Sequence, residues 1–176
     1  NQSVDPRIKE ARILYEKYNQ YVQLDQYDSI LNLMDSIEMI YQSVDHYKNS
    51  FETGVLNNNR AATILTLYLQ KYQDDNDSIA SELIRKAENA TLKSIHIYKN
   101  WFEKYGDKNK TELESMIKES FLAGLENQEI RKKEKFLEHR VEEMQNAQEE
   151  NKRRLSVSYT NLGIIKRHQM KYDSAE

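Results

Sequence analysis

Cysteine is absent from this chain, proline occurs once and glycine four times. Without cysteine the chain can form no disulfide framework, use no thiol nucleophile and build no cysteine-ligated zinc site. The scarcity of proline and glycine leaves few places where a helix must break. No apolar run approaches the roughly 20 residues that a membrane-spanning helix needs. We therefore expect a protein of long helices that does not itself span a membrane.

The composition agrees with an all-α fold. Of 176 residues, 38% are hydrophobic and 31% are charged, which suits helices with one buried face. A chain of this length can bury a sizeable core as one domain or a short array. The net charge of −3 provides no overall attraction to nucleic acid or anionic lipid, so we expect neither as a partner.

A helix, a turn and the start of a second helix can be recognised in the last residues of the chain. The pattern consists of Tyr159, Leu162, Gly163, Tyr172, Asp173, Ser174 and Ala175. It resembles the tetratricopeptide repeat, in which two antiparallel helices pack closely. The resemblance implies that Gly163 and Ala175 allow this close approach, while Tyr159 and Leu162 fill the flanks. Lys166 departs from the family pattern, which usually has an aromatic residue there.

Two further copies of the layout occur earlier in the chain. Residues 14–30 repeat the Tyr-Asp-Ser sequence before an apolar residue, Ile30, which takes the place of Ala175. A weaker copy after residue 58 places the small residues Ala80 and Ala87 two helical turns apart on one face. The offset between the two clearer copies is no multiple of the family's period of roughly 34 residues. We therefore expect helices longer than the standard repeat, or an extra element.

The resemblance implies one domain over residues 1–176, in which antiparallel helix pairs stack as a right-handed superhelix. The expected pairs cover residues 6–43, 46–105 and 111–176. Because the chain starts without methionine and stops inside its last repeat, we expect it to be a piece of a longer protein. Its composition, rich in tyrosine and asparagine, resembles exported lipoproteins and sensor regulators of the Bacteroides group. That resemblance favours an extracytoplasmic or membrane-anchored bacterial location over a cytoplasmic one.

Local signals predict several helix ends. The predicted caps and stops are Asp5 before Pro6, Asp77, Gly106 as a left-handed stop, and Thr111 with Glu114 as a capping box. We expect the third helix to span residues 46–72 and the fifth to end near residue 125. One long helix is expected from residue 127 to 170.

No constellation of residues in the sequence predicts catalysis, a cofactor or a metal. The histidines His46, His96, His139 and His168 lack the spacing of a helical metal motif. The acidic residues 74–77 lack the glycine and glutamate of a calcium loop and are interpreted as a polar turn. We therefore expect a protein that is not an enzyme.

For two other clusters of residues we prefer a structural interpretation to a binding site. The basic residues 131–135 alternate with acidic residues on the same helix, which is typical of a solvated face rather than a nucleic-acid site. The aromatic residues Tyr98, Trp101, Phe102 and Tyr105 lie on one helical face. This spacing favours core packing over a ligand platform.

Binding of a protein or peptide is the function that the resemblance implies. In this family the first helices of successive pairs line a concave groove that holds extended peptides. The corresponding candidates are Tyr15, Asn19, Asn58, Asn59, Arg60 and Asn161. The alternative for these polar residues is hydrogen bonding between neighbouring helices. The alternative function is dimerisation through residues 136–162 of the long helix, with Tyr159, Ile164 and Ile165 left uncovered.

Overall fold

The computed structural model describes residues 5–74, 78–121 and 130–173. Six α-helices account for nearly all of them, and these residues form no strand. The helices are α1 (Pro6–Gln23), α2 (Tyr27–Ser43), α3 (Phe51–Lys71), α4 (Ser78–Tyr105), α5 (Lys110–Phe121) and α6 (Ile130–Asp173). The predicted all-α class is confirmed. The predicted cap Asp77 and the packing residue Ala175 lie outside the described residues, as does the expected end of the fifth helix near 125.

The start of α1 and the turn after it agree with the sequence signals. The Asp5 side chain accepts a hydrogen bond from the backbone N–H of Arg7, and Pro6 occupies the first turn. Between α1 and α2, Asp25 adopts a left-handed backbone with φ 51°. Asp and Asn tolerate this conformation better than most residues, which allows so short a connection.

The third helix begins later than predicted. A short 3-10 helix (Asp45–Tyr47) comes first, and α3 starts only at Phe51. The Ser50 hydroxyl accepts a hydrogen bond from the backbone N–H of Thr53 at 3.2 Å. A serine cap satisfies one of the free N–H groups of the first turn, and the earlier residues offer α3 no such cap.

The cap of α5 is Asn109, and the predicted capping box of Thr111 with Glu114 is wrong. Asn109 Oδ1 accepts from the backbone N–H of Glu112 at 2.9 Å, and Asn109 Nδ2 donates to the Glu112 carboxylate at 3.3 Å. The cap lies two residues earlier than predicted, and the Glu112 carboxylate accepts from the Asn109 side chain rather than from its backbone N–H as in a capping box. Thr111 therefore lies inside the first turn.

Gly106 follows the end of α4, but the role predicted for it is wrong. No described glycine has a positive φ, so Gly106 does not supply a left-handed stop. A Cβ at this position would overlap the ring of Phe102. The need for glycine here is the close approach of the Phe102 ring to the backbone.

Contacts divide the chain into two compact units. The first contains residues up to Ile97 together with those from Ser156 onward, and the second contains Tyr98–Leu155. Helices α4 and α6 contribute residues to both units. The first unit is therefore completed by a segment that lies far along the chain from the rest of it.

The first unit has two clusters of buried apolar side chains. One joins α1, α2 and α3 and contains Ile8, Ala11, Ile30, Met34, Ile37, Tyr41, Val44 and Leu56. The other joins α3, α4 and α6 and contains Ile64, Leu65, Tyr68, Ala80, Ile84, Ala87 and Ile165. The residues Ile30, Ala80 and Ala87, expected to pack between helices, are among them. Burial of this apolar area is the main stabilising contribution in the unit.

The C-terminal part of α6 differs from the expected packing. Gly163 is exposed, and among the described residues nothing lies within 4 Å of a Cβ placed on it. The close approach predicted at Gly163 is therefore not made by those residues. The expectation that Ile164 and Ile165 would need cover is also wrong, because Ile165 is fully buried and Ile164 packs beside it. Leu162 is half-buried, whereas Tyr159 is 46% exposed.

The second unit is built around Tyr98, Leu113, Ile117, Val141 and Asn151, all buried. The Gln148 amide donates to the backbone carbonyls of Tyr105 (2.7 Å) and Lys108 (2.8 Å). It thereby satisfies carbonyl groups at and beyond the end of α4, where the helix offers no partners. Trp101 contacts Tyr105 with ring centroids 5.3 Å apart. In this aromatic cluster Tyr98 is buried, while Trp101, Phe102 and Tyr105 are half-buried.

Candidate functional site

A groove of about 440 Å³ lies in the first unit, on helices α2, α3 and α4. Its lining residues are Leu31, Asp35 and Glu38 on α2, Asn57, Arg60 and Ile64 on α3, and Leu83, Lys86, Asn89, Ala90 and Lys93 on α4. This volume falls within the usual range of ligand pockets, roughly 300–1,000 Å³. We call this feature the α2–α4 groove.

Helix α3 runs antiparallel to both α2 and α4. The contacts between these helices place polar side chains at one end of the groove and aliphatic side chains at the other. On the α2 side, Arg60 pairs with Asp35, while Asn57 pairs with Glu38. On the α4 side, the Ser94 hydroxyl donates to the carbonyl of Gly54 at 2.8 Å. Because α2 and α4 are both antiparallel to α3, Glu38 of α2, Asn57 of α3 and Lys93 of α4 lie next to one another.

The polar end of the groove is a buried junction at Glu38. Its carboxylate accepts from Asn57 Nδ2 at 3.0 Å and forms an ion pair with Lys93 of α4. Gln42 also donates to it at 3.3 Å. The Glu38 side chain is only 14% exposed, and these partners satisfy its carboxylate oxygens. The junction links three helices and closes this end of the groove.

The opposite end of the groove is aliphatic. Leu31, Ile64 and Leu83 contribute one side chain from each helix, and none of the groove-lining residues is aromatic. Nucleobases and sugar rings are commonly held by stacking on aromatic rings. The α2–α4 groove thus fits an aliphatic side chain better than a flat ring.

Hydrogen-bond donors are in excess in the middle of the groove. Asp35 is already held by Arg60, whereas the exposed Lys86 makes no ion pair among the described residues. Arg60 uses only one terminal nitrogen for Asp35 and has further N–H groups. Asn89 adds an exposed amide one turn beyond Lys86. The groove therefore offers spare donors to a bound group.

Chemical catalysis finds little support in this lining. It contains no histidine, serine, threonine or tyrosine, and both of its carboxylates are engaged in ion pairs. Within the described ranges, no three His, Asp or Glu side chains come together in a way that could hold a metal ion. The arrangement is suited to binding through donors and an apolar contact.

Arg60 is the one residue of the predicted binding set that lines the groove. Asn58 instead is buried and accepts a hydrogen bond from the Ser158 hydroxyl of α6 at 2.9 Å. This is the contact between neighbouring helices that the alternative interpretation predicted for it. Asn58 therefore helps to hold α6 against α3 within the first unit.

The other four predicted binding residues do not line the groove. Tyr15 is half-buried and packs edge-on against Tyr18, with centroids 5.7 Å apart. Asn19 is exposed on α1, while Asn59 and Asn161 are half-buried on α3 and α6. The groove also differs in position from the expected one, since α2 and α4 are second helices of the predicted pairs.

Apart from Arg60, the polar residues of the groove were missed because no sequence pattern considered above singled them out. Their spacing does carry a signal: Lys86, Asn89 and Lys93 follow a three-and-four pattern on α4. Asn57 and Arg60 repeat that spacing on α3. Polar residues that recur at this spacing beside a buried stripe mark the edge of a helix interface, where a groove can form.

A smaller polar cluster surrounds Tyr68 in the first unit. Its hydroxyl lies 2.8 Å from that of Tyr172, and the His168 ring packs edge-on against its ring at 5.1 Å. Burial lowers the pKa of His168, and the nearby cations Arg167 and Lys171 lower it further. His168 is thus a packed side chain that is neutral at physiological pH.

Burial also raises the pKa of Tyr41 and of Tyr98 to about 12 in each case. Both phenols stay neutral at physiological pH and act as packing groups.

No helix among the described residues combines the length and apolar character needed to cross a bilayer. No family model, curated protein or solved structure matches the chain.

Proposed function

We propose that this chain is a non-enzymatic interaction module that binds a segment of another protein through the α2–α4 groove. The proposal includes tetratricopeptide-like stacking of its helices and a sensing or scaffolding role within a larger protein. The observation that carries it is the groove itself, which combines one aliphatic end with spare donors on α3 and α4.

The distribution of charge supports binding. The ion pairs of Asp35 with Arg60 and of Glu38 with Lys93 hold the groove walls in place before any ligand arrives. A preformed site loses less conformational entropy on binding. The aliphatic end supplies apolar area and the donors supply orientation, which is how most pockets divide these roles.

Selection from a displayed library of linear peptides, followed by calorimetry on the enriched sequences, tests the proposal. Asn89→Trp places a large side chain at the groove rim and is expected to weaken binding at least tenfold. Asn32→Trp makes the same change on an exposed position of α2 that does not line the groove. Peptides that bind the two variants equally well would place recognition elsewhere and contradict the proposal.

Dimerisation through α6 is the second candidate. Phe136, Val157 and Tyr159 are 37–46% exposed, which leaves apolar area available on this helix. Its support is reduced by the burial of Ile165 within the first unit. Light scattering coupled to size exclusion over a hundredfold range of concentration tests it. A dimer whose mass falls on dilution, and falls further in Val157→Glu, would favour this function.

A further inference from the structure

We propose that the α2–α4 groove takes an acidic segment of a partner protein, in which an aliphatic side chain and a carboxylate are two residues apart. This inference rests on the proposed function and specifies its ligand. It follows from the charges of the groove walls and from their spacing along the helices.

The α4 wall of the groove carries positive charge and no negative charge. Its lining residues are Leu83, Lys86, Asn89, Ala90 and Lys93. The nearby carboxylate of Glu82 lies outside the groove lining and is bound by Arg85 at 2.9 Å. An anion that approaches this wall therefore meets Lys86 without a competing acidic group in the lining.

The α2 wall does not compete for the same anion. Glu38 is largely buried and is held by Asn57 and Lys93. Asp35 is paired with Arg60. Both acidic groups of the lining are thus compensated, and Lys86 remains as the unpaired charge among the described groove residues. Charge complementarity then favours an acidic ligand over a neutral or basic one.

The distance between Leu83 and Lys86 determines how far apart the aliphatic side chain and the carboxylate of the ligand should be. Lys86 lies three residues from Leu83, which corresponds to about 4.5 Å along α4. Two residues of an extended chain advance about 6.6 Å, and their side chains point to the same side. An aliphatic side chain near Leu31, Ile64 and Leu83 would thus place a carboxylate two residues away at Lys86.

Fluorescence anisotropy on the 176-residue chain tests the inference. The probes are labelled seven-residue peptides, capped at both ends, that carry leucine and, two positions away, glutamate, glutamine or lysine. Each is made with the leucine first and with the leucine last, since the structure leaves the chain direction open. A further probe has leucine near a free C-terminal carboxylate, which separates a side-chain acid from a chain end.

The glutamate peptide is expected to bind about fivefold more tightly than the glutamine peptide, which is the range of one partly exposed ion pair. The lysine peptide should be weaker still, and added salt should reduce the difference. Lys86→Glu should remove the preference for glutamate. Lys17→Glu is the matched control, because it makes the same charge change at an exposed residue of α1 that does not line the groove.

Equal binding of the glutamate and glutamine peptides would overturn the inference, as would equal effects of the two charge reversals. The inference would also be overturned if library peptides without acidic residues bind and Asn89→Trp weakens their binding. That result would still support the proposed function. If no peptide binds in a way that Asn89→Trp blocks, the proposed function and this inference both fail.

Discussion

Gly163 and Gly106 differ in what surrounds them. Gly163 lies in the interior of α6, where no described neighbour comes within 4 Å of an added Cβ, whereas Gly106 follows α4 and lies against the ring of Phe102. A glycine in a helix interior costs about 0.5–1 kcal/mol relative to alanine through its greater freedom in the unfolded chain. Where space is free, alanine should remove that cost.

We therefore expect Gly163→Ala to raise the free energy of unfolding by about 0.5–1 kcal/mol. Gly106→Ala is expected to lower it by about 1–3 kcal/mol, because the new methyl group would displace the Phe102 ring. Urea denaturation followed by circular dichroism measures both. A destabilised Gly163→Ala variant would show that a close helix contact does exist at this position.

The pKa of His168 links the first unit to pH. Burial and two neighbouring cations lower this pKa in the folded protein, so the folded chain takes up a proton less readily than the unfolded one. The resulting stability is present above the ordinary histidine pKa of 6.5 and is lost as the pH falls below it.

We expect the wild-type chain to lose more unfolding free energy between about pH 7.5 and 5.5 than His168→Gln does. Urea titrations at several pH values provide the measurement. His96→Gln, at an exposed position, tests whether removal of any histidine has the same effect. An unchanged pH slope in His168→Gln would mean that the imidazole is solvated.

Helix boundaries depend on local chemistry, and this explains which of them could be predicted. Asp5 and Pro6 act within a few residues, so the start of α1 followed from the sequence. The start of α5 was misplaced because two capping patterns lie two residues apart there. Both satisfy the same kind of N–H group, and only the path of the chain after Gly106 decides between them.

The observed cap gives a prediction for α5. Asn109→Ala should lower the free energy of unfolding by about 1 kcal/mol, because the N–H of Glu112 loses its partner. Thr111→Ala should change it by less than half of this, since Thr111 is exposed inside the first turn. Thermal melts of the two variants give the comparison. A larger effect at Thr111 would restore the predicted capping box.

The α2–α4 groove could not be predicted in the same way. Its contacts join residues distant in sequence, such as Glu38 with Lys93 and Asp35 with Arg60. Periodicity shows that each of these residues lies at the edge of a helix, but it does not show which helices become neighbours. Arg60 was identified only because the resemblance pointed to its part of α3.

At the scale of the whole molecule, the all-α class followed from composition and spacing, while the division into two units did not. In the sequence, α6 is one uniform polar helix. In the structure, Ile165 near its C-terminal end is fully buried. Its role in the first unit depends on partners in α3 and α4. These include Tyr68, whose hydroxyl meets that of Tyr172.

Replacement of Ile165 measures how far the first unit depends on α6. We expect Ile165→Ala to lower the free energy of unfolding by about 2–4 kcal/mol, because it leaves a cavity among fully buried side chains. Met170→Ala, on the same helix but 66% exposed, should change it by less than about 0.5 kcal/mol. Similar losses in the two variants would contradict this packing of α6.

Because the first unit includes the C-terminal part of α6, it can be completed only late in the synthesis of the chain. The first 97 residues of the first unit leave the ribosome well before Ile165 does. At about 5–20 residues per second, the apolar face of α3 and α4 would wait roughly 3–14 seconds for its last side chain. During that interval the cluster that contains Ile64 and Ile84 lacks the contribution of Ile165, so its packing is completed only after most of the chain has been made.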